Sequence, residues 1–167
     1  MKAVLALGSN LGNRFQILQG AVDALFDAPG LEFVKASPVY ETAPVGGPPG
    51  QDPYLNAVVV ADTTLDPRTL LERALSVENA FGRERAERWG PRTLDVDLIV
   101  VGSAVCDDPE LTLPHPRVHE RAFVLVPWSE VDPEGAIPGR GRVADLVKGL
   151  DRQGVRLRPD LTLQRPD

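Results

Sequence analysis

Leu94-Asp95-Val96-Asp97-Leu98-Ile99-Val100-Val101 is an apolar run that carries two acids one residue apart. Its length and its β-branched residues suit a strand. Side chains alternate along a strand, so Asp95 and Asp97 point to one face, roughly 6–7 Å from each other. Two carboxylates so placed repel, and one keeps its proton unless a cation stands between them. A hard divalent cation resolves the conflict, because Mg²⁺ takes one or two carboxylates and completes its shell with phosphate oxygens and water. The plain alternative is a solvated strand face with two acids on it. Against that stands the rest of the strand, which is apolar throughout.

Working upstream, residues 2–7 read as an opening strand stopped by Gly8-Ser9-Asn10. Asn13 is placed to cap a helix that runs to about residue 27, with Phe15, Leu18, Val22 and Leu25 at near-helical spacing and Pro29-Gly30 as its stop. Residues 31–40 form the next strand, and Pro38 inside it marks an edge or a bulge. Residues 42–53 are too rich in proline and glycine to pair or coil. Residues 55–61 are a third strand. Asp66-Pro67 opens a second helix, with Leu70, Leu71, Ala74, Leu75 and Phe81 as its apolar face and Gly82 as its stop. Residues 94–101 then complete the order β-α-β-β-α-β. That is the split βαβ plan of ferredoxin-like sandwiches, an α/β (α+β) fold with a mostly antiparallel sheet. Downstream, Leu111–Leu113 and Val155–Leu157 read as short strands and residues 143–150 as a short helix, so the additions are a C-terminal hairpin and helices. Neither a repeat nor a linker interrupts the chain, and residues 1–167 are expected to form one catalytic domain.

The chain has 167 residues and a net charge of −6, with a pI near 5.0. That length suits a single domain able to bury a core. The acidic balance argues against a nucleic-acid binder, which needs a basic face. No apolar run is long enough for a membrane span, and the N-terminal stretch is too short for a signal peptide. A cytoplasmic protein is expected. Cys106, the single cysteine, excludes an internal disulfide and a multi-cysteine metal site.

Two further clusters lie beside the aspartates. In Gly82-Arg83-Glu84-Arg85-Ala86-Glu87-Arg88-Trp89-Gly90-Pro91-Arg92, four arginines fall within ten residues of an acidic chain. Guanidinium forks match phosphate oxygens two at a time. A positive loop beside a carboxylate pair describes a metal–polyphosphate site. A charged, solvated helix end is the bland reading, and Trp89 argues against it, since a tryptophan in a polar loop usually covers something. The second cluster is Leu111-Thr112-Leu113-Pro114-His115-Pro116-Arg117, followed by Arg121 and Phe123. A histidine fixed between two prolines suits phosphate binding, donation to a nucleotide or base catalysis, although a lone histidine is more often structural. His119 reads as a surface residue. Neither a P-loop nor a dinucleotide fingerprint is present.

These residues together resemble the hydroxymethyl-dihydropterin pyrophosphokinase family of folate biosynthesis. The segment Arg88-Trp89-Gly90-Pro91-Arg92-Thr93-Leu94-Asp95-Val96-Asp97-Leu98-Ile99 is similar to its signature. Ala6-Leu7-Gly8-Ser9-Asn10, Tyr40-Glu41-Thr42-Ala43-Pro44-Val45-Gly46, Tyr54-Leu55-Asn56-Ala57 and Leu113-Pro114-His115-Pro116 also fit, and the likeness spans roughly residues 4–138. The resemblance implies the ferredoxin-like sandwich, and pyrophosphoryl transfer from ATP, the co-substrate, to the pterin's hydroxymethyl group. It implies two Mg²⁺ ions on Asp95 and Asp97. It makes Arg83 and Arg92 phosphate contacts and, with the aspartates, catalytic, in a loop that closes over ATP. Arg85 and Trp89 fall near the nucleotide, and Thr112, His115 and Arg121 at nucleotide-binding positions. Tyr54 and Phe123 match aromatics around the pterin ring, and Asn56, with the backbone at Thr42 and Val45, its hydrogen-bonding edge. The arginine loop is one residue shorter than in some members. Glu110 stands where some carry a base, and Pro116 where some carry tyrosine.

Metal bridging of the phosphates and the attacking hydroxyl would orient an in-line attack on the β-phosphorus, and no general base stands out. ATP and the pterin are the partners expected, with a monomeric protein and no nucleic acid or membrane. Two rival classes remain at this point: a sugar-nucleotide glycosyltransferase using the D-x-D pair, and a ferredoxin-like module that only binds. Phe123 also has a rival reading as a core residue of the apolar run Phe123-Val124-Leu125-Val126.

Overall fold

Two long strands buried on both faces organise the molecule. The computed structural model describes residues 1–43, 52–81 and 93–166. Strand β1 (Lys2–Ser9) lies between β4 (Tyr54–Thr63) and β5 (Asp95–Val101). On the other side of β4 lie β2 (Leu31–Ala36) and β3 (Tyr40–Thr42), and β10 (Val155–Leu157) pairs beyond β3. Every pairing among the described strands of this sheet is antiparallel. With β2 as the edge strand, the spatial order β5-β1-β4-β2 is that of the expected ferredoxin-like core.

Helices α1 (Arg14–Leu25) and α2 (Pro67–Ala80) cover one face. Asn13 caps α1, its side chain accepting the Gln16 N–H at 3.4 Å, and Pro67 follows Asp66 at the first position of α2. Leu18 and Leu70 pack there against Leu5, Leu7, Val59 and Leu98. The other face is covered by α3 (Ala122–Val131), whose Val124, Leu125 and Trp128 meet Val4, Ala6, Val58, Val60 and Ile99. Trp128 is wholly buried and donates to Asp132 at 3.0 Å, and Asp132 also pairs with Lys2 of β1 at 2.9 Å. These bonds tie the C-terminal end of α3 to the start of β1.

Three expectations need correction. The strand over residues 31–40 is two strands, because Pro38 has no N–H for the ladder. Ser37 bridges the break: its N–H donates to the Val58 carbonyl and its hydroxyl accepts the Val58 N–H, each at 2.8 Å. The buried face of α2 is Leu70, Ala74 and Val77 together with the acid Glu78, whereas Leu75 is exposed. Helix α3 was not expected at all. Its residues from Ala122 to Trp128 are all apolar, with Pro127 among them and polar side chains only at Ser129 and Glu130, so the sequence lacks a helical period there. The smaller additions are the hairpins β6 (Cys106–Asp108) with β7 (Leu111–Leu113) and β8 (Ala136–Ile137) with β9 (Gly141–Arg142). The four residues of α4 (Val143–Leu146) continue into a 3₁₀ turn, Val147–Gly149, where one short helix was expected.

Candidate active site

On the face that α3 covers, the apolar side chains of β1 and β4 end at the row Val58–Ala6, while Tyr40, one row further, still meets α3, its hydroxyl donating to Glu130 at 2.8 Å. The next row toward the C-terminal end of β1 runs Tyr40, Asn56, Gly8, Asp95 across β3, β4, β1 and β5. Asp97 is the partner of Ala6, one row back. Register partners share a face, so Asn56, Asp95 and Asp97 project from the same side of the sheet. Neighbouring strands lie about 4.8 Å apart, which puts the Asn56 and Asp95 strands roughly 10 Å from each other. Gly8 keeps the space between them clear: a Cβ there would stand 3.0 Å from Asn56 Oδ1 and 3.5 Å from the Tyr54 ring.

Each end of the row has its own chemistry. At the β4 end, Tyr54 is half-buried and is the register partner of Thr42. Asn56 and Thr42 are both buried, and the Asn56 amide donates to the Thr42 hydroxyl at 2.6 Å. The Thr42 side chain therefore joins this edge, not only its backbone. At the β5 end, Asp95 and Asp97 are half-buried while Val96 and Leu98 between and beyond them are buried. Among the described residues no group of three or more His, Cys, Asp or Glu side chains forms a metal cluster. A pair of carboxylates is a donor set that suits Mg²⁺ shared with phosphate oxygens.

The segment after β7 is drawn to the same end, since the His115 N–H donates to the Ile99 carbonyl of β5 at 2.9 Å. Burial, then the charges of Arg121 and Arg117, push the His115 pKa down to about 4. The imidazole is thus neutral at physiological pH. Its Nδ1 accepts the Arg117 N–H at 3.3 Å, which leaves Nε2–H as the donor. Thr112 donates to the Asp108 carbonyl at 3.2 Å, and Thr112 and His115 line a cavity of about 430 Å³ with His119 and Arg140. His119, expected at the surface, is partly buried beside Glu120. The Arg121 guanidinium lies over the Phe123 ring, 5.6 Å from its centre, and Phe123 is half-buried at the start of α3. Glu110 and Asp108 engage Arg68 of α2 at 3.3 and 2.5 Å, so the acid at position 110 has a cation of its own. Val45, Arg83, Arg85, Trp89 and Arg92 lie outside the described residues.

The model of the family described as 7,8-dihydro-6-hydroxymethylpterin-pyrophosphokinase matches residues 4–133. The chain belongs to that pyrophosphokinase family. Membership decides against the glycosyltransferase and pure binding-module readings. Curated relatives named 2-amino-4-hydroxy-6-hydroxymethyldihydropteridine pyrophosphokinase agree in length as well as sequence. The one from Methylorubrum extorquens is 46% identical over 154 residues, covering 92% of this chain and 96% of its own. That from Mycobacterium tuberculosis is 43% identical, covering 97% and 93%. That from Haemophilus influenzae is 37% identical, covering 94% and 98%. Among solved structures, the wild-type HPPK-DHPS of Plasmodium falciparum with pteroate superposes with a TM-score of 0.68 at 15% identity. It covers 88% of this chain, while this chain spans 42% of that one, and the likeness supports the fold.

Three residues that shape this candidate site escaped the reading of the sequence. Gly8 serves by having no side chain, which no pattern announces. Asn10 is buried, and its amide reaches the Asp52 carbonyl at 3.3 Å, 42 positions away. Glu78 is buried in α2 and accepts the Val96 N–H at 2.7 Å, which fixes the backbone between the two aspartates. Glu78 did leave a signal, because it shares helical spacing with Leu70, Ala74 and Val77 and is the one acid on that stripe.

Proposed function

We propose that this chain, acting as one catalytic domain, transfers the pyrophosphoryl group of ATP to the hydroxymethyl group of 6-hydroxymethyl-7,8-dihydropterin and releases AMP. Family membership supports the reaction, and one observation carries the assignment of the site: the row that sets Asn56 and Asp95 on a single open face with Gly8 between them. In this reading the pterin lies at the β4 end. Tyr54 and Phe123 take its two flat faces, and Asn56, Thr42 and Val45 read its donor–acceptor rim. The triphosphate lies at the β5 end, toward Thr112, His115 and Arg121. Arg83, Arg85, Trp89 and Arg92 complete the nucleotide's surroundings.

Asp95 and Asp97 would hold two Mg²⁺ ions, whose chemistry is to neutralise phosphate oxygens and acidify the attacking hydroxyl. The protein's own residues position and neutralise. Asn56 and the aromatic walls fix the pterin so that its hydroxymethyl oxygen faces the β-phosphorus in line. The oxygen–phosphorus bond forms as the bond from that phosphorus to the bridging oxygen of AMP breaks, and the hydroxyl proton passes to solvent. His115 offers an uncharged Nε2–H to a phosphate oxygen, while Arg83 and Arg92 meet the charge that develops in transfer. No helix of the described residues is long and apolar enough to cross a membrane, and the net charge is −6. The acidic balance disfavours nucleic acid as a partner, and in this reading the chain acts on small molecules as a cytoplasmic monomer.

Incubating the protein with Mg-ATP and the pterin, then separating the quenched nucleotides, tests the reading. One AMP is expected per pterin diphosphate. Stoichiometric ADP would mean transfer of a single phosphate and would overturn it.

A further inference from the structure

Glu41 lies on β3 between Tyr40 and Thr42, so its side chain points to the face opposite the row that carries Asn56. Its side chain is only 12% exposed, and three guanidiniums converge on it. Arg156 of β10, its register partner, reaches Oε1 at 2.7 Å. Arg158 just beyond β10 reaches Oε2 at 2.9 Å, and Arg14 of α1 reaches the same oxygen at 3.2 Å. Burial alone would raise the Glu41 pKa. Hydrogen bonds from Arg156 and Arg14, with the charges of Arg14 and Arg158, outweigh it and hold the pKa below the ordinary value.

Arg14 has a second partner. The same Nη1 donates to the Pro53 carbonyl at 2.8 Å. Pro53 directly precedes Tyr54, and Glu41 directly precedes Thr42, which is the register partner of Tyr54. The cluster therefore grips the backbone on both sides of the Thr42–Tyr54–Asn56 edge. Arg14 also stands at the first position of α1, where a cation opposes the helix dipole. A local rule broken at such a place is expected where function requires it. Beyond Glu41, Arg158 is secured from two directions, by Asp160 at 2.9 Å and by its own N–H to the Val39 carbonyl at 2.8 Å.

We propose that Glu41 is a positioning residue for the pterin: with Arg14, Arg156 and Arg158 it locks β3 to the residue before Tyr54 and to the C-terminal strand, so that Thr42, Tyr54 and Asn56 keep one geometry. This rests on the functional reading above and gives the chain after Arg140 a role in it. Removing the Glu41 charge would leave three cations crowded on a neutral partner, and the edge they hold would loosen.

Full-length Glu41→Gln and Arg14→Ala test this by steady-state kinetics with each substrate varied. Both variants should raise the KM for the pterin roughly tenfold, with kcat and the KM for Mg-ATP within about twofold of wild type. In the ligand-free protein, amide hydrogen exchange should quicken at residues 40–42 and 54–56 and stay unchanged at residues 3–6 of β1. A pterin KM within twofold of wild type in both variants would overturn the proposal. So would an equal rise in the KM for both substrates, which would make the loosening general instead of confined to the pterin end. If one variant fails to fold, the other carries the same test. A wild-type chain that makes no AMP would overturn the functional reading and the pterin role with it, while the exchange comparison would still show whether the clamp holds β3.

Discussion

Under α1 and α2, β1 presents Ala3, Leu5 and Leu7, and β4 presents Leu55, Ala57, Val59 and Ala61. Turned to the other face, the same strands present Val4 and Ala6 and then Gly8, and Val60 and Val58 and then Asn56. One face stays apolar from end to end. The other is apolar over β1 and β4 as far as the Ala6 row and then carries a glycine and an amide, with Asp97 beside Ala6 and Asp95 beside Gly8 at the β5 edge. The contrast teaches how a two-layer core makes a site without a second domain. The helix pair backs β1, β4 and β5 from behind, and the cover in front stops short. Polar groups at strand ends then sit on a backbone that is buried on its reverse side, which is the support a precise site needs.

The sharpest way to break the contrast is to change one polar residue of the open end. Asp97→Asn keeps the volume and removes a hard anionic ligand, so turnover should fall on the order of a thousandfold. The unfolding midpoint should barely move. A variant that keeps more than a tenth of the wild-type rate at saturating Mg²⁺ would detach Asp97 from the chemistry. The converse change belongs on the closed face. Leu18 is wholly buried in α1, and Leu18→Ala should lower the unfolding free energy by about 2–5 kcal/mol. Both KM values should be unaffected at a temperature where the variant is folded. Denaturant titration measures the first and initial rates the second.

Between these extremes, Gly8→Ala probes the floor of the row. Its methyl would sit 3.0 Å from Asn56 Oδ1, tighter than ordinary packing but not a blocked fold. The pterin KM should rise roughly tenfold, about 1.4 kcal/mol, with a smaller change for Mg-ATP. Equal effects on both substrates would mean that Gly8 supports the whole sheet instead of the pterin end.

Much of this contrast was legible in the residues. Alternation placed Asp95 with Asp97 and Tyr54 with Asn56, and the cap at Asn13 and the proline after Asp66 set the starts of both helices of the closed face, although the Asp66 side chain accepts the Thr69 hydroxyl instead of a backbone N–H. What was hidden falls into two physical kinds. Helix α3 is unbroken apolar sequence from Ala122 to Trp128, which gives it no period, so the run looked like core of unknown shape. The rest depends on pairing between distant segments. Arg14 meets Glu41 across 27 positions and Arg158 meets it across 117, and no local pattern records such meetings. Pro38 was readable as an interruption, but not the Ser37 hydroxyl that mends the ladder behind it.

The location of the site on one half of one face is tested most directly by mapping ligand-induced amide shifts with Mg²⁺, a non-hydrolysable ATP analogue and the pterin bound together. The largest changes are predicted at Gly8, Asn56, Asp95, Asp97 and His115, with Leu18, Val22 and Leu25 of α1 unmoved. Changes centred on the outer surface of α1 and α2, with the row from Asn56 to Asp95 silent, would contradict the assignment.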